Sequence, residues 1–152
     1  MESELERIRA ASSEEAARRI ARLYARRHKR DPDLVEVLGL ARRLWRGGGA
    51  EKSAAIEMVV TLDRHLGAEH WSQFRQWIQG RVSKEHADEI AIQILGAIVT
   101  RDRTFVRVLR HWALSAKPAI RRAAVLGVFR RARQMGDVEA AISVCEPLMR
   151  DR

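Results

Sequence analysis

The chain has 152 residues, 46% of them hydrophobic and 32% charged, with a formal net charge of +9. This length suits one domain with a sizeable core, and the apolar fraction excludes a chain too polar to fold. The one cysteine, Cys145, excludes an internal disulfide framework and a Cys-based zinc site, and no apolar run reaches the roughly 18 residues of a membrane span.

Arginine dominates the charge, which favours a polyanionic partner such as nucleic acid or simply a well-solvated surface. The N-terminal stretch MESELERIRAASSEEAARR is charged and has no apolar core, so no secretory signal is expected. With a single thiol, a reducing cytoplasm is the expected location.

A short helix is predicted over residues 2–10, carried by Leu5 and Ile8. Ser12-Ser13-Glu14-Glu15 has the form of a capping box, so a helix starts there and runs to about His28. Ala16, Ile20, Leu23 and Tyr24 are its predicted apolar face. Asp31-Pro32 restarts the chain, with Asp as N-cap and Pro at the first helical position. Leu34, Leu38, Ala41 and Trp45 then recur at helical spacing.

Gly47-Gly48-Gly49 ends that helix. No strand precedes these glycines and no Gly-Lys-Ser/Thr follows, so they do not form a phosphate cradle of the P-loop kind. Ala55, Ile56, Val59, Leu62 and Leu66 form the next stripe, predicted to stop at Gly67 as a C-cap. Trp71, Phe74, Trp77 and Ile78 mark another helix, closed by Gly80. Ser83 can cap a helix over SKEHADEIAIQILGAIV, which carries one acid, Asp88, beside its apolar run. Asp102 to Thr104 forms a turn, and Phe105, Val108, Leu109 and Trp112 follow at helical spacing. Pro118 opens a long helix to about Arg133, Gly136 breaks it, and Val138, Ala141, Ile142, Cys145 and Leu148 make a last helix.

No segment alternates as a strand would, so the fold class is all-α, with about eight helices. Helix starts near residues 14, 50, 84 and 118 recur at roughly 34 to 36 residues, a period that points to a HEAT-like α-solenoid of antiparallel helix hairpins. An irregular helical bundle is the alternative. The expected organisation is a single domain over 1–152, with N-terminal helices in 1–30 and repeats in 31–152. Equivalent positions in successive hairpins lie on neighbouring helices about 10 Å apart. Asp88 and Arg122, 34 residues apart, are therefore expected to project onto one surface, with Glu85 one turn before Asp88.

From about Leu34 onward the chain resembles the DNA alkylation repair proteins, the HEAT-like alkylpurine DNA glycosylases. The resemblance is carried by LARRLWRGGGAEKSAAIEM with its Leu44-Trp45 and Glu51, and by Phe74 and Trp77 followed by Asp88. His111-Trp112 with Ser115, and then PAIRRAA from Pro118 to Ala124, complete it. It implies a curved stack of helices with a basic concave face for double-stranded DNA, and hydrolysis of the N-glycosidic bond of cationic alkylated purines without metal or organic cofactor. It also implies that Asp88 is the catalytic carboxylate and Arg122 a DNA contact. A fixed carboxylate suits this chemistry because bond cleavage leaves positive charge on the sugar. The chain departs from the family pattern at Lys84 and Ala119, where the family carries tryptophans beside the lesion.

The expected DNA-facing set is Arg122, Arg121, Lys84 and Glu85, with Arg18 and Arg19 at equivalent offsets in the first repeat. Lys84 can also pair with Asp88 at i, i+4. Arg130, Arg131 and Arg133 are expected to be solvated. Trp45, Trp71, Trp77 and Trp112 lie on apolar stripes and are expected in the core. His65, His70, His86 and His111 lack the His-Glu-x-x-His spacing, so no metal site is expected. Two other functions fit parts of the pattern: a non-catalytic scaffold for an acidic protein partner, and a helix-turn-helix regulator, whose recognition helix is not evident. A monomer that does not bind membranes is expected.

Overall fold

The computed structural model describes residues 2–28 and 34–150. Among these residues there are nine helices and no strand, so the all-α expectation is borne out. The helices are α1 (Glu2–Arg9), α2 (Glu14–Arg27), α3 (Leu34–Trp45), α4 (Gly49–Thr61), α5 (Trp71–Gln79), α6 (residues 84–101), α7 (Phe105–Ala113), α8 (Pro118–Met135) and α9 (Val138–Met149). The predicted Asp31-Pro32 start of α3 lies outside the described residues. No helix among the described residues is long and apolar enough to cross a membrane.

The chain divides into two compact units, Met1–His65 and Leu66–Arg152. In the first, the Ser13 hydroxyl caps α2 by accepting from the Ala16 N–H at 3.1 Å. The buried face of α2 is Ala17, Ala21, Tyr24 and Ala25, while Leu23 is 47% exposed. The predicted face was therefore turned by about one residue. Small side chains win here because α2 packs closely on α4, which presents Ser53, Ala54 and Ala55. The Ser53 hydroxyl donates to Glu14 at 2.7 Å and Arg22 donates to Glu57 at 2.6 Å. Glu14 meets Ser53 and, further along both helices, Arg22 meets Glu57, so α2 and α4 run parallel.

Gly48 N-caps α4, its N–H donating to the Glu51 carboxylate at 2.7 Å. The helix ends at Thr61, earlier than predicted. Leu62 and Leu66 remain buried, but the chain carrying them passes through a 3-10 turn, Asp63–His65. Gly67 is extended (φ −124°) and donates to His70 Nδ1 at 2.9 Å, so it starts the next turn and does not cap α4.

In the second unit Phe74, Trp77 and Ile78 of α5 are buried, as are Trp71 and Trp112, whereas Trp45 of the first unit is only half-buried with Lys52 over its ring. α6 is one continuous rod with three parts: α-helical Lys84–Glu89, a π-helical segment Ile90–Leu95, and α-helical Gly96–Arg101. Its buried residues are Ile90 and Ala91 and then an unbroken run from Ile94 to Val99. The π segment, a wider turn than the α-helix on either side of it, carries Ile90, Ala91, Ile94 and Leu95 into the core.

α6 and α8 also run parallel. Near their starts Asp88 meets Arg122, and near their ends Arg131 of α8 donates to the Val99 and Thr100 carbonyls at 3.1 and 2.9 Å. Between these, Arg130 donates to the Gln93 carbonyl of the π segment at 2.9 Å. Arg130 and Arg131, expected to be solvated, thus close backbone acceptors of α6. Gly136, at φ 65°, ends α8 as a left-handed C-cap residue, a conformation that favours glycine. α9 buries Ala140 and Val144, while the predicted core residues Val138 and Ile142 face solvent. That helix is apolar on two sides, and the smaller side is the one that fits against α7 and α8.

Candidate functional site

Two helix starts build the site. The Ser83 hydroxyl accepts from the His86 N–H at 3.1 Å and fixes the first turn of α6. Pro118, at the first position of α8, sets that helix with its ring-constrained φ. Asp88 and Arg122 each occupy the fifth position of their helix, so parallel packing brings them level. Arg122 donates from Nε to Asp88 Oδ1 at 2.6 Å and from Nη2 to Oδ2 at 2.7 Å. This is a two-pronged pair, the strongest geometry that a guanidinium and a carboxylate can form.

The pair is open to water on one side. The Asp88 side chain is 23% exposed and that of Arg122 is 48% exposed. The Asp88 hydrogen bond, and then its charge, hold the Arg122 guanidinium above its usual range. Arg122 uses Nε and Nη2 on Asp88, which leaves the Nη1 side of the fork facing outward.

Asp88 and Arg122 lie in a groove of about 430 Å³. Lys84 and Lys117 stand at its rim, both exposed, and Ile78 and Ile120 are buried in its floor. Ala119 lines it too. The expected alternative pairing of Lys84 with Asp88 does not form: Asp88 goes to Arg122. Among the described residues no hydrogen bond or ion pair holds either lysine ammonium.

The remaining expected site residues fall elsewhere. Glu85 is exposed in the first turn of α6, outside the groove lining. Arg121 turns the other way and donates to the carbonyls of Ser115 and Ala116 at 2.9 and 3.2 Å, bracing the turn before α8. Arg18 and Arg19 belong to the first unit. There Arg18 is drawn to Glu14 and Glu57, at 3.4 and 3.7 Å, and Arg19 is exposed. Lys117 is the groove residue that sequence reasoning missed. Its signal was its place just before Pro118, which puts it on the lip opposite Lys84.

A second groove of about the same volume lies along α7 and α9, with Arg103, Arg107 and Arg110 on it. Its one carboxylate, Glu139, is tied to Arg103 at 3.2 Å and is far more exposed than Asp88. It offers charge but no held carboxylate. Among the described residues no three His, Cys, Asp or Glu side chains come together as metal ligands.

The first groove thus combines a fixed carboxylate, an outward-facing guanidinium and two amines on an apolar floor. That set can bind phosphates and stabilise positive charge developing between them. A family model described as DNA alkylation repair enzyme matches residues 11–152. No curated protein and no solved structure matches the chain. The family match spans both units and includes every residue of the groove, and on that ground the chain belongs to the DNA alkylation repair enzyme family.

Proposed function

We propose that the groove around Asp88 and Arg122 binds double-stranded DNA and hydrolyses the N-glycosidic bond of cationic alkylated purines. The observation that carries this reading is the two-pronged Asp88–Arg122 pair, set in an otherwise cationic groove of a chain in this family. A carboxylate held at two points cannot turn away. When the bond between the sugar C1′ and a cationic base breaks, the base leaves neutral and positive charge gathers on the sugar. Asp88 would stabilise that charge, and water would add to C1′ and release a proton to solvent. The outward side of Arg122, with Lys84 and Lys117, would hold flanking phosphates.

A second reading is a DNA-binding family member without catalysis. Lys84 and Ala119 favour it, because they stand where the resemblance leads one to expect tryptophans to hold the lesion in place. One experiment separates the two. Duplex DNA treated with a methylating agent is incubated with the protein, and free methylated purine is measured for wild type and Asp88→Asn. Release that disappears in the variant supports the glycosylase. Duplex binding with no release by wild type supports the non-catalytic reading, and no binding at low salt removes both.

A further inference from the structure

Lys84 is the residue that most changes the chemistry of this groove. It opens α6 and lies one turn before Asp88 on the same side of the helix. Its ammonium is exposed, lines the groove, and has no hydrogen bond or ion pair among the described residues. Asp88 is already balanced by Arg122 at 2.6 and 2.7 Å, so Lys84 is not needed as its counter-charge. A primary amine therefore stands beside a fixed carboxylate, at the place where the groove would hold a deoxyribose.

We propose that Lys84 gives this groove a second activity, cleavage of DNA strands at abasic deoxyribose by β-elimination. This rests on the groove being a DNA site but not on base release, because abasic sites arise by other routes as well. An abasic sugar opens from its ring form to an aldehyde at C1′. Lys84, after giving its ammonium proton to solvent, adds through Nζ to that carbon, and loss of water gives an imine. The imine withdraws electrons from C2′. A C2′ proton passes to the Asp88 carboxylate, the C3′–O bond breaks, and the 3′-phosphate leaves with the bonding pair. Water then hydrolyses the imine, which frees the unsaturated aldehyde, restores the lysine amine and lets Asp88 return its proton to solvent. The water lost on imine formation is regained on hydrolysis, and no oxidant, reductant or metal enters the balance.

Lys117 is the rival amine, since it lines the opposite lip of the same groove. It sits before the first turn of α8, without a carboxylate one turn further along its own side; that position holds Arg121. Proton removal from C2′ therefore favours Lys84.

The test uses the full chain and a duplex oligonucleotide with one preformed abasic site. Sodium borohydride reduces any imine to a stable amine, and the protein–DNA adduct is read on a denaturing gel and mapped by peptide mass. Binding to the same duplex is measured separately at low salt. The expected result is an adduct that peptide mass places on Lys84 and that is lost in Lys84→Arg at duplex concentrations saturating for that variant, as set by its own binding curve. Asp88→Asn is expected to keep the adduct and to lose strand cleavage when no borohydride is present. Binding without adduct overturns the lyase proposal but leaves the DNA reading intact. An adduct that persists in Lys84→Arg, or that is lost in Lys117→Arg alone, overturns the assignment to Lys84. Absence of duplex binding overturns the DNA reading and the lyase proposal together.

Discussion

Asp88 and Arg122 sit at the same position of two parallel helices and are joined by two hydrogen bonds of 2.6 and 2.7 Å. The pair both links α6 to α8 and fixes a carboxylate at the groove wall. These roles separate under mutation. Asp88→Asn keeps the shape and removes the charge. Both partners are partly exposed, so stability should hardly move. If the carboxylate stabilises the transition state, base release should fall by about 10²-fold or more, the scale of losing one well-placed electrostatic group. Thermal melting and a single-turnover release assay check the two halves.

Arg122 should respond differently to Lys and to Ala. Arg122→Lys keeps the positive charge but replaces the planar fork with a point charge, so the two-pronged grip on Asp88 is lost. Arg122→Ala also removes a phosphate contact. The slope of log affinity against log salt should fall by about one unit for Ala and change little for Lys. Base release should drop in both. Duplex titrations at several salt concentrations measure the slopes, and equal slopes for Ala and wild type would remove Arg122 from the DNA contacts.

The Asp88–Arg122 contact was legible in the sequence because strong local signals mark the helix starts. Ser83, Pro118, Gly80 and Gly136 each punctuate the chain by their own chemistry, and the period then places Asp88 beside Arg122. What was not legible depends on partners. α2 buries alanines because α4 comes close, which periodicity within α2 cannot reveal. Arg130 and Arg131 look like a solvated charge run until the carbonyls of Gln93, Val99 and Thr100 lie beneath them. The π segment left no trace: the apolar residues from Ile90 to Val99 read equally well as one buried α-helix.

Asp137 ties the end of α8 to the start of α9, and its effect should depend on pH. Its carboxylate accepts from Arg131 at 2.6 Å and from Arg103 at 3.0 Å, and caps α9 through the Ala140 N–H at 3.1 Å. The Arg131 and Arg103 hydrogen bonds lower its pKa from 3.8 to about 2. A depressed folded-state value means that the unfolded chain binds the proton more readily. The stabilisation is therefore complete above about pH 4 and is lost as pH falls through about 2. Asn is also a good N-cap, so Asp137→Asn isolates the charge. Wild type should unfold at higher urea than the variant at neutral pH, and the gap should close on acidification. A gap that stays constant down to about pH 2 would contradict this account.

Two helix-interior glycines should answer the same substitution with opposite signs. A Cβ at Gly39 in α3 meets nothing within 4 Å, so Gly39→Ala gains helix propensity at no steric cost. It should stabilise the protein by roughly 0.5–1 kcal/mol. A Cβ at Gly96 in α6 would lie 3.0 Å from the Cβ of Arg130 in α8. That atom is bonded directly to the α8 backbone and cannot swing aside as a side-chain tip would, so the two helices must part. Overpacking of this kind costs about 1–3 kcal/mol, more than the propensity gain, so Gly96→Ala should be destabilising. Parting α6 from α8 also pulls on the Arg130–Gln93 and Asp88–Arg122 contacts. Gly96→Ala should therefore weaken base release as well as lower the urea midpoint, whereas Gly39→Ala should raise the midpoint and leave release unchanged.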